Sequence, residues 1–553
     1  MSKVHKKTLA GVSAPASNQE PVVEPVVLEA DVPLSQSLIW RRQREFYVQR
    51  GLKAWTEDNV PQFITNNPFI AEIYARIVFN FLCECMELGR KESRPLSPQN
   101  PLRILELGAG PGKFSYLFLR HLTPLLRAKG IAFDTVRYCM TDCAETLIQS
   151  WRTNSYLAEL AGCRMLEFEL FQAGEEIKPR FLRGTDAEKS KPTNEPLVLI
   201  ANYVFDSLPQ DAFVIKEGEI FEALVTTKPA VRSSEDSATE TLSSLQLSYK
   251  NASVPPDRYP DQSWNRILEL YRSRLPAATV LFPSQALKTL QEFGNLTDDR
   301  MMVLVADKGH AHEDDLLLCQ GPPAFEFHAS NCFSQMVNFD AIGKYFEIIG
   351  GQALVPDKHS ASLNICAFLQ GRPGDQFTAT KTAYQDAQAT FGPDDLFTLL
   401  GWLNAHMEEM SVPQILATLR LTRWDSTALV RLFPVLACQL RTVSRERNDL
   451  RNAVMSTWAN HYPVNQGENV LAFYCGVILL ELRFFDDALS MFKASQEIFG
   501  RSAPTSYNLG LCSLGVGRSS EALVFMVEAC DLDPGFEPAR LARLKLESEK
   551  IRD

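Results

Sequence analysis

The chain lacks any apolar run close to the roughly 20 consecutive residues that a membrane-spanning helix needs. Its start lacks the apolar stretch of a secretory signal peptide, and the first 17 residues contain lysine but no arginine, unlike an organelle transit peptide. These absences predict a cytoplasmic protein without a membrane partner.

Patterned cysteine and an excess of positive charge are also missing. The 12 cysteines are scattered, and only Cys83 and Cys85 form a C-x-C pair, so neither a disulfide framework nor a CxxC zinc site is expected. His310 and His312 alone do not predict a metal site. The 56 Lys and Arg against 67 Asp and Glu give a net charge of -11, which argues against a nucleic-acid partner held by its phosphates.

The length of 553 residues indicates several domains, since one domain usually has roughly 100 to 200 residues. Composition and periodicity predict a disordered tail over 1–36, a domain over 37–370 that begins with a helical entry over 37–100, a polar linker over 371–393 and a helical domain over 394–553. Two charged stretches, 173–195 and 228–262, are expected to be surface insertions.

The large domain alternates short apolar runs with helical patterns, which is typical of a doubly wound α/β fold with a parallel sheet covered on both faces. We expect strands over 103–107, 136–141, 165–168, 197–201 and 302–306, followed by closing strands over 352–355 and 362–369.

The end of the chain repeats itself. An offset of 34 residues aligns Gly476 with Gly510 and Phe492 with Met526, a period and a small-residue pattern that resemble tetratricopeptide (TPR) repeats. Such repeats form concave surfaces for protein partners, so we expect an all-α TPR-like domain that recruits a protein. Plain helical packing without a binding groove stays open as the alternative.

The clearest local signal is the stretch LRILELGAGPGKF, in which a strand ending in Glu106 leads into Gly108-x-Gly110-x-Gly112. Glycines at these positions let a ligand approach the backbone N–H groups at the start of a helix. The dinucleotide fingerprint GxGxxG would need glycine at Lys113. GxGxG after an acidic strand end resembles motif I of class I S-adenosylmethionine-dependent methyltransferases.

Polar residues also follow the later strands, where doubly wound sheets bind ligands. Asp142 ends the second strand, where a carboxylate can accept hydrogen bonds from ribose hydroxyls, although it is also placed to cap the next helix. The fourth strand is followed by Asn202, Tyr203 and Asp206. Asn202 as a turn residue and Asp206 as a helix cap stay open as alternatives.

Several blocks together resemble the MidA-like family of S-adenosylmethionine-dependent methyltransferases, which includes complex I assembly factors that methylate a protein arginine. The blocks are Phe63–Pro68, Glu106–Gly112, Asn202–Pro209, Ala306–Gly309 and Val337–Phe339. The resemblance covers about residues 45 to 370 and implies a Rossmann-like, seven-stranded methyltransferase sheet with a helical N-terminal extension.

The resemblance also implies roles for individual residues. S-adenosylmethionine would be bound by Glu106 at its methionine end, by Asp142 at its ribose, by Asn202 as a floor and by Thr65 as a cover, along the loop residues Gly108, Ala109, Gly110 and Gly112. Asp206 and Tyr203 would face the methyl acceptor. Tyr203 stands where the family has Glu, and Asn338 where it has Asp, and fewer carboxylates weaken the case for a cationic arginine acceptor.

We therefore expect a methyltransferase that acts on a protein side chain and recruits a protein through its repeats. The alternative is an inactive methyltransferase-like scaffold, which the substitutions Tyr203 and Asn338 favour and the intact glycine loop opposes. An NAD-dependent oxidoreductase is a third hypothesis. The sequence predicts no oligomeric state.

Overall fold

The computed structural model describes residues 27–550 apart from 58–59, 61–63, 174–194, 230–240, 298–299, 330, 360–362, 390 and 465–469. Its strands are β1 Glu29–Val32, β2 Leu102–Leu107, β3 Val136–Asp142, β4 Leu166–Leu170, β5 Leu197–Asn202, β6 Asp211–Lys216, β7 Glu219–Pro229, β8 Leu245–Ser253, β9 Ala277–Phe282, β10 Met301–Asp307, β11 Gly309–His310, β12 Glu326–Ala329, β13 Cys332–Ser334, β14 Val337–Asn338, β15 Gln352–Leu354 and β16 Asn364–Gln370.

The α-helices are interspersed with the strands up to β16 and follow one another after it. In the first part they are α1 Leu38–Arg50, α2 Lys53–Thr56, α3 Pro68–Lys91, α4 Lys113–Lys129, α5 Glu145–Thr153, α6 Ser155–Gly162, α7 Gln262–Arg274, α8 Ser284–Leu296, α9 Glu313–Leu316 and α10 Phe339–Ile348. After the last strand they are α11 Thr378–Ala389, α12 Pro393–Ala405, α13 Val412–Leu421, α14 Ser426–Ala437, α15 Arg447–Ala459, α16 Leu471–Glu481, α17 Phe485–Phe499, α18 Ala503–Gly515, α19 Ser519–Leu532 and α20 Glu537–Lys550.

The central sheet has seven strands in the order β15-β16-β10-β5-β2-β3-β4. Strands β2, β3, β4, β5 and β10 are parallel to one another, and β16 runs antiparallel to β10. Every residue of β10 is buried, as expected of a central strand that has helices on both faces. The mixed α/β architecture and the helical C-terminal region confirm these parts of the predicted fold.

The large domain contains a second sheet, which the sequence did not predict. Its order is β1-β7-β6-β9, with β8 on the other side of β7. The predicted insertion over 228–262 is wrong in part, because β8 pairs with β7 over nine residues, from Pro229↔Leu245 to Phe221↔Ser253. Residues 174–194 and 230–240 of the two predicted insertions lie outside the described residues.

The predicted tail over 1–36 is also wrong at its end, and residues 1–26 lie outside the described part. Strand β1 pairs with β7, and the Glu29 carboxylate accepts hydrogen bonds from the backbone N–H of Leu38 at 2.8 Å and the Thr227 hydroxyl at 2.6 Å. Leu34 is fully buried against this sheet. Strand pairing and apolar burial therefore order this segment although it has no periodicity.

The predicted linker over 371–393 is wrong where it contains α11. This helix packs on α3, with Phe377 and Tyr384 buried in the core of the large domain. The Tyr384 hydroxyl donates a hydrogen bond to the Ile365 carbonyl of β16 at 2.7 Å. Glu84 of α3 accepts hydrogen bonds from the first turn of α11. The segment is thus the last layer of the large domain.

The C-terminal helices pack as consecutive antiparallel pairs, with α16 on α17 and α18 on α19. A Cβ atom on Gly476 would come within 2.7 Å of the Phe492 ring, and one on Gly510 within 2.6 Å of the Met526 Cε. The aligned residues of the 34-residue offset therefore make the same helix-to-helix contact in both pairs. The TPR assignment itself stays a prediction. Among the described residues, no helix is both long and apolar enough to cross a membrane.

Tyr384→Ala tests the integration of α11 into the large domain. Truncation of a fully buried aromatic side chain usually costs about 3 to 5 kcal/mol, so we expect a loss of this size in the free energy of unfolding, measured in denaturant. Gln385→Ala, at an exposed position of the same helix, is the matched control and should change little. A flexible linker would give equal, small effects for both variants.

Candidate functional site

The glycine loop connects β2 to α4 at the middle of the central sheet. Gly110 has a φ of 53° and Gly112 a φ of 86°, in the left-handed region that favours glycine. A Cβ on Gly110 would lie 3.3 Å from the Trp55 ring, and one on Gly112 would lie 2.8 Å from the Met140 Cε. The loop therefore needs glycine both for its backbone angles and for the space around it.

Groups outside the loop hold it in place. The backbone N–H of Ala109 donates to the Thr141 carbonyl at 2.8 Å, and the Trp151 indole N–H donates to the Gly110 carbonyl at 2.9 Å. The Tyr462 hydroxyl donates to the Pro111 carbonyl at 2.8 Å. The shape of the loop thus depends on the neighbouring strand, on α5 and on the C-terminal region.

Asp142 faces this loop from the end of β3. One carboxylate oxygen accepts the backbone N–H of Gly110 at 3.1 Å, and the other accepts that of Ala144 at 3.2 Å. The second bond forms a short turn ahead of α5 and is not the helix cap that the sequence left open, because the N-cap residue of α5 is Ala144. The first bond ties the carboxylate to the loop. Burial raises the pKa of Asp142. Each oxygen keeps a lone pair for a further donor.

Glu106 ends β2 and is buried. Its Oε2 accepts hydrogen bonds from the Ser115 hydroxyl and, at 2.7 Å, from the Tyr138 hydroxyl. Burial raises the pKa of Glu106 to about 7, against the opposing effect of these two hydrogen bonds. One oxygen of the Glu106 carboxylate therefore links β2 to β3 and α4.

Asn202 ends β5 and presents an unused donor. Its Oδ1 accepts the Tyr74 hydroxyl at 2.9 Å, which fixes the orientation of the amide, and its buried Nδ2 has no partner among the described residues. Tyr203 follows with a φ of 54°, which is strained for a non-glycine residue, and its buried hydroxyl also has no partner in the described chain. Unsatisfied buried polar atoms usually indicate a missing ligand or water.

These residues line one cavity of about 660 Å³. It brings together most of the residues that the sequence singled out: Thr65, Glu106, Gly108, Ala109, Gly110, Asp142, Asn202, Tyr203 and Asp206. Gly112 is not part of the lining and packs against Met140 behind the loop. A volume of this size fits a ligand of several hundred daltons together with an acceptor side chain.

Asp206 lines the cavity, and Asp307 lies next to it, fully buried and outside the lining. Asp307, at the end of β10, accepts the backbone N–H groups of Phe205 and Asp206 at 3.1 and 3.2 Å. Burial raises the pKa of Asp206 to about 6, and burial together with the Asp206 charge raises that of Asp307 well above its usual range. Burial thus favours the protonated form of both carboxyl groups, most strongly at Asp307.

The sequence reasoning did not select Asp307 as a site residue, although it lies in one of the family-like blocks. The parallel pairing of Ala306 with Asn202 places Asp307 beside the residues that follow β5. Its position at the carboxyl end of a predicted strand was the signal that could have found it.

The remaining wall comes from elements that the sequence left without a role. Tyr47 of α1 contacts the Cys332 sulfur at 2.9 Å. Lys308 pairs with Glu326 at 2.7 Å, and His328 lies 2.8 Å from the Ser334 hydroxyl. All except Cys332 line the cavity.

Asn338 lies away from the cavity. Its Oδ1 accepts the backbone N–H of Ala341 at 2.9 Å and so caps α10, and its Nδ2 donates to the Leu281 carbonyl at 3.0 Å. An Asn side chain serves the capping role as well as Asp does. The substitution at this position is therefore no evidence against catalysis.

The two histidines noted in the sequence, His310 and His312, each contact a different partner. His310 lies 3.2 Å from the Cys319 sulfur, and His312 contacts the Pro356 carbonyl at 2.7 Å. Within the described residues, no group of three or more His, Cys, Asp or Glu side chains is arranged to hold a metal ion.

Comparison with solved structures finds distant likenesses. An uncharacterized protein from Burkholderia thailandensis is 12% identical over 63% of this chain and 89% of its own, with a TM-score of 0.40. A member of the same superfamily from that organism, bound to S-adenosyl-homocysteine, is 12% identical over 59% of this chain and 74% of its own, with a TM-score of 0.33. The plantazolicin methyltransferase BpumL, in complex with the same compound, is 10% identical over 61% of this chain and 100% of its own, with a TM-score of 0.26.

No curated protein matches the chain. A family model does match residues 84–322, less than half of the chain, and it describes a "Putative S-adenosyl-L-methionine-dependent methyltransferase". This segment contains the glycine loop, Asp142, Asn202 and the carboxyl pair. In this segment the chain is similar to a family of methyltransferases whose cofactor is S-adenosylmethionine.

Proposed function

We propose that this protein is a MidA-like class I methyltransferase that transfers a methyl group to a protein side chain, the guanidinium of an arginine. The observation that carries the proposal is the cavity that the glycine loop shares with Asp206, next to which lies the buried carboxyl group of Asp307. A cofactor on the loop would direct its methyl group toward a basic group in the same enclosed space. The strand order of the central sheet supports the class I assignment.

The unused hydrogen-bonding capacity of the cavity supports the cofactor roles. Asp142 faces the loop with lone pairs available for the two ribose hydroxyls. The orphaned Nδ2 of Asn202 is a donor for a carbonyl, a carboxylate or a ring nitrogen. Thr65, buried on the opposite wall, is placed to cover the bound cofactor. When bound, the cofactor supplies an electrophilic methyl group on a sulfonium.

The carboxyl pair supports a cationic acceptor. The resemblance to the family left one acidic position as Tyr203, and Asp307 provides a second carboxyl group next to Asp206. Buried carboxylates stabilise a guanidinium and hold its planar group in one orientation. The Tyr203 hydroxyl, without a partner among the described residues, is a further hydrogen-bonding group for the acceptor.

Methyl transfer to a nitrogen releases one proton, and Asp206 is the group that would accept it. The acceptor nitrogen attacks the methyl carbon, the carbon–sulfur bond breaks, and the electron pair of that bond stays on sulfur as a neutral thioether. The methylated nitrogen then loses one proton. An Asp206 carboxylate with a pKa near 6 can accept that proton at neutral pH, while Asp307 holds the backbone of this turn through the N–H groups of Phe205 and Asp206.

The helical C-terminal region would recruit the protein that is methylated or a second protein. Apolar side chains are exposed along its last helices, with Val524 at 66%, Leu541 at 55% and Leu544 at 55%. Such positions on paired helices suit a protein partner. A cytoplasmic location remains a prediction from the sequence.

Incubation of labelled S-adenosylmethionine with host lysate tests this function. We expect the intact chain to label a protein band that acid hydrolysis shows to contain methylarginine. Cofactor binding without any labelled protein would instead support the inactive scaffold, and labelling of another residue type would refute the arginine acceptor.

Gly110→Val tests the cofactor loop. Valine at a φ of 53° is strained by roughly 1 to 3 kcal/mol, and its side chain would meet Trp55, so calorimetry should show at least about tenfold weaker binding of S-adenosylhomocysteine. Gly130→Val is the matched control, because Gly130 has a φ of 69° but a Cβ there meets nothing within 4 Å. Equal affinities in both variants would contradict the assignment of the loop.

Asp206→Asn tests the proton acceptor. The amide keeps the size of the side chain but cannot accept a proton, so labelling should fall by about 100-fold or more while binding of S-adenosylhomocysteine is unchanged. In the wild type, labelling should rise between pH 5 and 7 with a midpoint near 6, since only the ionised carboxylate is active and burial raises its pKa to about 6. A rate that is independent of pH in this range would refute the role.

A further inference from the structure

Residues 460–464, which follow α15, reach from the helical C-terminal region to the cofactor loop. Tyr462 lies in this segment, is 2% exposed, and donates its hydroxyl to the Pro111 carbonyl at 2.8 Å. The same hydroxyl accepts a hydrogen bond from the Asn154 side-chain amide at 3.0 Å. A residue 351 positions after the loop thus holds the loop backbone directly.

The surroundings of Tyr462 form a buried and largely aromatic contact. Its ring packs on Tyr116 of α4, with 5.3 Å between ring centroids, and on Tyr156 of α6, with 5.5 Å. The Tyr116 hydroxyl donates to the Ala459 carbonyl at 3.2 Å. His461 is 1% exposed, and burial lowers its pKa to about 4, so it is neutral at physiological pH. The contact is therefore part of the folded core and is not a contact between exposed surfaces.

The contact lies on the reverse side of the loop from the cavity. Pro111 lines the cavity, whereas Tyr462 does not, and Tyr462 holds the carbonyl of Pro111 from behind. The preceding carbonyl, of Gly110, is held by the Trp151 indole within the methyltransferase domain. Two successive peptide groups of the loop are therefore fixed, one by each region of the protein.

We propose that Tyr462 is a positioning residue for S-adenosylmethionine, so that the helical C-terminal region completes the cofactor site. This inference rests on the proposed role of the loop in cofactor binding. A glycine-rich loop has many backbone conformations in the absence of restraints, and binding requires one of them. The Tyr462 hydroxyl restricts the loop backbone before the cofactor binds, and so lowers the entropy cost of binding.

A thermodynamic consequence connects the two regions. If docking of the segment around Tyr462 favours cofactor binding, cofactor binding must favour the docking by the same factor. Amide groups of His461 and Asn460, which bond to carbonyls at the end of α15, report on this docking although they do not line the cavity.

Tyr462→Phe removes the hydroxyl and keeps the packed ring. We expect calorimetry to show binding of S-adenosylhomocysteine weakened about three- to tenfold, the range for loss of one hydrogen bond. Tyr116→Phe is the matched control, because it removes one hydroxyl hydrogen bond across the same contact without touching the Pro111 carbonyl. It should bind as the wild type does. Equal affinities for Tyr462→Phe and the wild type, or equal weakening in both variants, would overturn the inference.

Hydrogen exchange adds a measurement that a purely structural role of Tyr462 would leave unchanged. In the wild type, S-adenosylhomocysteine should slow exchange at residues 459–462, and in Tyr462→Phe this slowing should be reduced. Unchanged slowing in the variant would contradict the coupling. Failure of the wild type to bind S-adenosylhomocysteine at all would instead refute the proposed function, so the two failures are distinguishable.

Discussion

A loop built largely from glycine cannot hold its own shape, and this constraint organises the structure around the cofactor site. The side chains that would restrict the loop are absent because its positive φ angles favour glycine and because a Cβ on Gly110 or Gly112 would meet Trp55 or Met140. Order must therefore come from outside, through the Thr141 carbonyl, the Asp142 carboxylate, the Trp151 indole and the Tyr462 hydroxyl. These four groups come from one strand end, one helix and the C-terminal region. The site is thus a property of the assembled protein and not of its motif alone.

A second constraint acts on the acceptor side. Asp206 and Asp307 are both buried, which raises the pKa of each carboxyl group, and the Asp206 charge raises the pKa of Asp307 further. A guanidinium entering the cavity would supply the missing positive charge and favour ionisation of the pair. The same electrostatics would hold the acceptor and prepare the group that takes up its proton.

Much of the central sheet could be predicted because its strands are buried on both faces and read as unbroken apolar runs. Strand β10, for example, is Met-Met-Val-Leu-Val-Ala-Asp. Strand β8 was missed because none of its residues is fully buried and its neighbourhood in the sequence is polar. Helix α11 was missed because only Thr380 and Tyr384 of its residues are buried, which is too few for a recognisable apolar face.

The site residues also divide into those that the sequence could indicate and those that it could not. Residues adjacent to strand ends, such as Asp142 and Asn202, could be selected because the topology of a parallel sheet places strand ends together. Tyr462 carried no local signal, since its importance arises from a contact that only the folded chain creates. Asn338 shows the opposite error, because a departure from a family pattern suggested lost chemistry where the side chain caps a helix.

The central claim is that the loop and the carboxylate at the end of β3 bind the nucleoside part of the cofactor. A crystal structure of the protein with S-adenosylhomocysteine tests it most directly. The account predicts that both ribose hydroxyls lie within about 3 Å of the Asp142 carboxylate and that the ligand runs along Gly108–Gly110. A ligand bound elsewhere, or one in this cavity whose ribose is far from Asp142, would contradict it.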